Sequence, residues 1–256
     1  MSRILLVLAL AATCFAQDQP QVFAHYMPWY ESKPFSGKWG WHWTMDHFDP
    51  DTIRWHGKRE AASHDYPLIG LYDSADPDAL ECQVLQMKMA GIDGVIIDWY
   101  GIRDHFDYLK LHEHTAKLIP FVKRAGLKFA ICYEDQTIGH MKLGLDHGKD
   151  VMKWLDENWF ADEAYLKIDD RPVLLVFGPQ HFKTKRNWDE LFADLSKRPK
   201  FYTLPYMKTE AGADGSFAWP PVTEKKLHST ADWKASLKND AADIVVAFPG
   251  FHDIYA

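Results

Sequence analysis

The run Gly94-Val95-Ile96-Ile97-Asp98-Trp99-Tyr100-Gly101 constrains the chain more than any other stretch. Its β-branched apolar centre is uninterrupted by polar residues and lies between glycines. A strand with such a centre is covered on both faces, which is the condition of a parallel sheet packed between other layers. The polar and aromatic residues fall at its carboxyl end. The layout repeats: Val22-Phe23-Ala24 runs into His25-Tyr26-Met27-Pro28-Trp29-Tyr30, and Lys128-Phe129-Ala130-Ile131-Cys132 runs into Tyr133-Glu134-Asp135-Gln136. Parallel α/β folds bind ligands at the carboxyl ends of their strands. The sequence therefore predicts a polar, aromatic-walled site at those ends.

Helical patterns separate the strands. Asp76 is predicted to cap a helix with Pro77 in its first turn and Leu80, Val84 and Met87 on one face, stopped at Gly91. A second helix is predicted over 105–125, with Leu109, His112, Ala116 and Ile119 as its spaced positions, an interruption at Pro120 and a stop at Gly126. Further helices are predicted over 146–160, from a capping box of Asn187 and Glu190 through Leu195, and over 233–237. They alternate with strands over 172–177, 201–206 (weakened by Pro205) and 244–248. The segment 31–75 lacks periodicity, but Trp39, Trp41, Trp43, Trp55 and Tyr66 argue for an ordered excursion over a disordered one. A doubly wound sheet carries a glycine-rich turn after its first strand, and Met27-Pro28-Trp29-Tyr30 stands there instead. The fold class read from the chain is α/β, a (β/α)8 TIM-type barrel truncated after about six strands.

Charge and composition narrow the partners. A net charge of -7 without a basic cluster speaks against nucleic acid and against an anionic membrane surface. Eleven tryptophans, within an aromatic content of 14%, exceed the needs of a core and suit the walls of a groove. Met1-Ser2-Arg3, the apolar run Ile4 to Ala12 and the small residue Ala16 form a secretory signal pattern, with cleavage expected after Ala16. That leaves 17–256 as a single barrel domain, secreted or periplasmic, because the apolar run is too short to anchor in a bilayer. Acylation of Cys14 is the alternative, disfavoured by Thr13 before it. Beyond the signal, Cys82 and Cys132 stand either as two buried thiols, the favoured reading, or as a pair.

Three carboxylates occupy predicted strand ends. Neighbours on a strand face opposite ways, so Glu134 and Asp135 are not expected to share the mouth. Glu134 shares parity with the small residues Ala130 and Cys132, as a barrel interior requires, and is the first candidate for chemistry against a structural ion pair. Asp98 is the second, against a loop-supporting carboxylate. Tyr26, Trp29, Tyr30, Trp99 and Tyr100 are read together as walls for a sugar ring, each alone being open to a core role. His25 is either a donor to ligand or a satisfied structural histidine. Neither His42 with His47 nor His112 with His114 has convincing metal spacing, so no metal and no cofactor are expected. Serine-esterase elbows, phosphate loops and Cys-x-x-Cys pairs do not occur. Carboxylates with aromatics are the equipment of glycoside hydrolysis.

His25 to Tyr30, Trp39-Gly40-Trp41-His42-Trp43, Tyr66 to Ser74, Gly94 to Gly101 and Cys132-Tyr133-Glu134-Asp135 together resemble the bacterial glycoside hydrolase family 71/99-like proteins. The resemblance implies a (β/α)8 barrel, hydrolysis without metal, and an oligosaccharide or polysaccharide substrate with α-linkages, mannan- or glucan-type, cut internally. It implies Glu134 and Asp98 as acidic site residues. The substrate-binding set expected with them is His25, Tyr26, Trp29, Tyr30, Trp41, Trp43, Asp73, Trp99, Tyr100 and Asp135. The family's catalytic pair lies in a late Trp-x-Glu-Gly-like stretch that does not occur before Ala256. The expectation is either a truncated sequence or a carbohydrate-binding relative without turnover.

Overall fold

The structure, a computed structural model, describes residues 20–219, 222–223, 226–227 and 242–247. The expected signal segment and the helix over 233–237 lie outside them. Six strands run parallel in the order β1 (Phe23–Tyr26), β2 (Gly94–Trp99), β3 (Lys128–Tyr133), β5 (Arg171–Val176), β6 (Lys200–Thr203) and β7 (Gly215–Ser216). The two-residue β4 (Lys167–Ile168) pairs antiparallel with β5, and β8 (Val222–Thr223) with β9 (Lys226–Leu227) forms a separate ribbon. The sheet curls. His25 at one edge meets Trp219, just beyond the other edge, at 4.9 Å between ring centroids. It is the wall of a (β/α)8 barrel over six strands.

Strand register sorts the side chains into two layers. His25 pairs with Ile96, Asp98 with Cys132, and Leu175 with Tyr202, so these alternate residues line the concave side together with Ala130 and Glu134. Val95, Ile97, Trp99, Ile131 and Val176 belong to the other parity and are fully buried. Helices cover that convex side: α3 (Pro77–Met89), α4 (Tyr108–Arg124), α6 (Leu145–Leu155) and α7 (Lys185–Leu191). Each fully buried Val, Ile or Leu there contributes about 1.5–3 kcal/mol relative to leaving it in water. Glycine matters at Gly94, where an added Cβ would lie 2.3 Å from the Lys128 carbonyl oxygen. Any side chain there would wedge β2 away from β3 at the point where their ladder begins.

The helix starts follow the sequence at α3, where Asp76 Oδ1 accepts from Asp78 N over 3.0 Å. They differ elsewhere. The buried face of α4 is Tyr108, Leu111, His114, Thr115, Leu118, Ile119 and Val122, while Ala116 is exposed. Pro120 is also exposed, and the helix continues through it. The capping box of α7 joins Thr184 to Asn187, one turn before the expected pair. The helix over 146–160 ends in a π-helical turn, Asp156–Phe160, that buries Trp159 and Phe160.

The strand expected over 201–206 stops at Thr203, before Pro205. Gly215–Ser216 is a strand that sequence reading passed over. The predicted strand at 244 pairs in parallel with Phe217 as a single bridge, and Asp243 Oδ2 accepts from Ser216 N over 2.8 Å. Cys82 and Cys132 are free thiols. No helix among the described residues is long and apolar enough to cross a membrane.

The 31–75 excursion is ordered, with the short helices α1 (Lys33–Ser36) and α2 (Trp41–Thr44). Its neck is stitched shut. Ser74 N donates to Tyr30 O over 2.8 Å, Tyr30 N to Ser74 Oγ over 3.1 Å, and Asp73 Oδ2 accepts from Ser32 N over 2.7 Å and Ser36 Oγ over 2.6 Å.

Candidate functional site

Asp98 and Glu134 end adjacent strands on the same, concave side. Because Asp98 is level with Cys132, Glu134 stands two residues further up its strand, and strand geometry puts the two Cα atoms about 8 Å apart. Both carboxyls are buried. Burial, the largest cause, raises the proton affinity of each, and the negative charge of Asp98 pushes Glu134 up further. Burial and the repulsion between them together favour a proton on the pair. Polar neighbours oppose this in part: the Tyr100 hydroxyl favours the ionised form of Asp98, and Gln136 Nε2 donates to Glu134 Oε2 over 3.0 Å. Gln180 Nε2, from the turn after β5, reaches the same Glu134 oxygen over 3.3 Å.

Around the carboxylates the mouth is aromatic. Tyr100 stacks on Tyr108 at 4.9 Å and an interplanar angle of 9°, and burial keeps the Tyr100 phenol protonated. Trp29 lies flat on His42 at 4.3 Å and 8°. His42 in turn ties the excursion to the start of α4, its Nε2 being 2.9 Å from Asp107 Oδ2. Tyr30 stacks on Trp43 at 3.9 Å. His25 lies on the concave side, where burial pushes its pKa down to about 4 and so keeps the ring neutral. Its Nε2 is buried without a hydrogen-bond partner among the described residues. Trp219 fills the space between His25 and Phe177, 4.9 Å from each ring.

Several residues expected at the site stand elsewhere, and strand parity explains two of them. Tyr26 pairs with Ile97 on the convex side and donates through its hydroxyl to Gln83 Oε1 of α3 over 2.6 Å. Trp99, next to Asp98, also faces the helices. It is fully buried, donates to His112 Nδ1 over 3.2 Å and packs on Trp154 and Trp159. Trp43 is buried inside the excursion, its indole N–H donating to the Tyr72 carbonyl. Trp41 is half exposed and bonded to Asp46. Asp73 is consumed by the neck of the excursion.

Asp135 is consumed too. It accepts three backbone N–H groups, from Gln180 over 2.6 Å, His181 over 2.9 Å and Phe182 over 2.7 Å. It therefore holds the loop that delivers Gln180 to Glu134. Of the expected residues, the structure places His25, Asp98, Tyr100 and Glu134 together on the concave side, and packs Trp29 and Tyr30 on His42 and Trp43 of the excursion. Sequence reading missed Gln136, Gln180, Tyr108 and Trp219. Only Gln136, one turn from Glu134 at the start of α5 (Gln136–His140), had a positional signal. Among the described residues no group of three or more His, Cys, Asp or Glu is placed to hold a metal ion.

Comparison with known proteins bears on the fold. No family model matches the chain. The glycoprotein endo-alpha-1,2-mannosidase of Rattus norvegicus is 32% identical over 88 residues, 31% of this chain and 19% of that protein. The Mus musculus protein of the same name is 31% identical over 105 residues, 38% of this chain and 22% of that one. The matched stretch thus spans about a fifth of the length of these relatives. Among solved structures, a GH99 endo-alpha-mannosidase from Bacteroides thetaiotaomicron superposes with a TM-score of 0.62 at 18% identity, covering 85% of this chain and 67% of that one. At that identity the likeness establishes the fold. The chain is thus similar in sequence, over part of its length, to the glycoprotein endo-alpha-1,2-mannosidases, and in fold, over most of its length, to a GH99 endo-alpha-mannosidase.

Proposed function

We propose that this protein is an exported glycoside hydrolase, acting internally on α-linked mannan- or glucan-type glycan with Glu134 and Asp98 as its acidic equipment. The observation that carries the reading is the pair of buried, mutually repelling carboxyls at adjacent strand ends beneath an aromatic mouth. A carboxyl that keeps its proton at neutral pH gives it to the glycosidic oxygen as the bond to the anomeric carbon breaks. An ionised carboxylate facing it supports the positive charge that develops on that carbon until water adds there, its proton returning to the carboxyl that gave one up. Tyr100, Trp29 and Tyr30 offer ring faces to the sugar, and the neutral His25 offers a nitrogen to a hydroxyl. No metal or cofactor enters this chemistry.

Reducing ends released from α-mannan and α-glucan test the proposal, with Glu134→Gln as the control. Release by the wild type, abolished in the variant while sugar affinity persists, supports it. A second reading, sugar binding without turnover, is favoured by the two glutamine amides that fix Glu134 as an acceptor. It is supported instead if the wild type binds and releases nothing, and Glu134→Gln weakens binding. Export is tested separately by the mass of the mature protein, which should begin at Gln17.

A further inference from the structure

We propose that Phe106 is a stacking platform for an outlying sugar ring of the same glycan, a binding position beyond the carboxylate site; this rests on the glycosidase or sugar-binding reading above. Phe106 is 76% exposed, in the loop between β2 and α4. Its backbone lies in the left-handed region at φ 50°, which bulky residues rarely adopt. A strained backbone that presents an apolar ring to water gains nothing for the fold, and such strain collects at ligand sites.

The ring is braced by its neighbours. It meets Tyr108 at 5.6 Å and His140 at 6.1 Å, both nearly perpendicular, and His105 at 4.1 Å. Tyr108 and His140 are themselves joined by a 3.0 Å hydrogen bond between Oη and Nδ1. These braces lead back to the carboxylates: Tyr108 stacks on Tyr100, two residues beyond Asp98 on the same side of the chain, and His140 ends the helix that Gln136 begins. Phe106 thus stands two ring spacings from Tyr100 along the rim. Beside it, exposed His140 supplies a polar group for hydroxyls, and His105 Nε2 is buried without a partner among the described residues. An apolar face flanked by histidine nitrogens fits a sugar ring, with its C–H face stacked and its hydroxyls hydrogen-bonded. A ring seated there belongs to a chain several residues long.

Calorimetry with an α-linked manno-disaccharide and a tetrasaccharide tests this, using the full chain and the variants Phe106→Gly and Phe106→Tyr. Glycine removes the ring and suits the left-handed backbone, so melting should not fall. The wild type should bind the tetrasaccharide more tightly than the disaccharide. Phe106→Gly should lose about tenfold on the tetrasaccharide and nothing on the disaccharide, and Phe106→Tyr should retain both. Equal loss on both sugars, or loss on neither, overturns the platform alone. A wild type that binds neither sugar overturns the platform together with the reading on which it rests.

Discussion

Gln136 and Gln180 converge on one oxygen of Glu134, with Nε2-to-Oε2 distances of 3.0 and 3.3 Å. They arrive from different loops, one after β3 and one after β5. Amides that donate to a carboxylate stabilise its ionised form, and Gln136 restrains the upward push of burial on Glu134.

Removing one donor should therefore shift the titration of Glu134. In Gln136→Ala the carboxyl should hold its proton to higher pH than in the wild type. Carbon-13 NMR titration of the labelled glutamate measures this directly. An unchanged or lower midpoint would mean that the amide does not act on the charge.

The pair also sets a pH dependence of stability. A carboxyl whose folded-state pKa is raised binds more protons folded than unfolded. Its stabilising contribution is complete below the ordinary carboxylate range and is lost as pH rises through the raised value. Glu134→Gln removes one such group, so the variant should melt close to wild type at about pH 4 and above it at about pH 8.5. Thermal melts at the two pH values decide it.

Trp99→Ala is expected to be a stability variant. Its indole is enclosed by Trp154, Trp159, Tyr133 and His112, and truncating a large buried aromatic costs about 3–5 kcal/mol. Urea unfolding should show that loss. Sugar affinity of the fraction that stays folded should match the wild type.

Asp135→Ala should lower stability by about 3 kcal/mol, because it strands the amides of Gln180, His181 and Phe182 beneath the loop. Denaturant unfolding measures the loss. Hydrogen exchange at those three amides should rise well above that of β3.

The strands β2 and β3 were legible because burial on both faces leaves a continuous apolar run. The Gly215–Ser216 strand was not, since two small residues carry no pattern and owe their place to the Tyr202 and Thr203 ladder beside them. Asp98 and Trp99 show how a site can be half read. Both mark the strand end, yet alternation sends one to each side, and the residue whose parity matches Glu134 is Asp98. Gln180 gave no signal at all. A glutamine in a turn looks like any solvated loop residue until the fold carries it across to another strand's carboxylate.

The stitched neck at Tyr30, Ser32, Asp73 and Ser74 makes the excursion an exchangeable cassette. Its two ends are fixed to one another within hydrogen-bond distance, so the β1–α3 connection stays in place whatever lies between. Doubling the length of a flexible loop closed in this way costs only about 0.6 kcal/mol. Descendants of this chain could lengthen, shorten or rebuild the span from Lys33 to Tyr72, and with it the roof over the mouth, while the strands below keep their register.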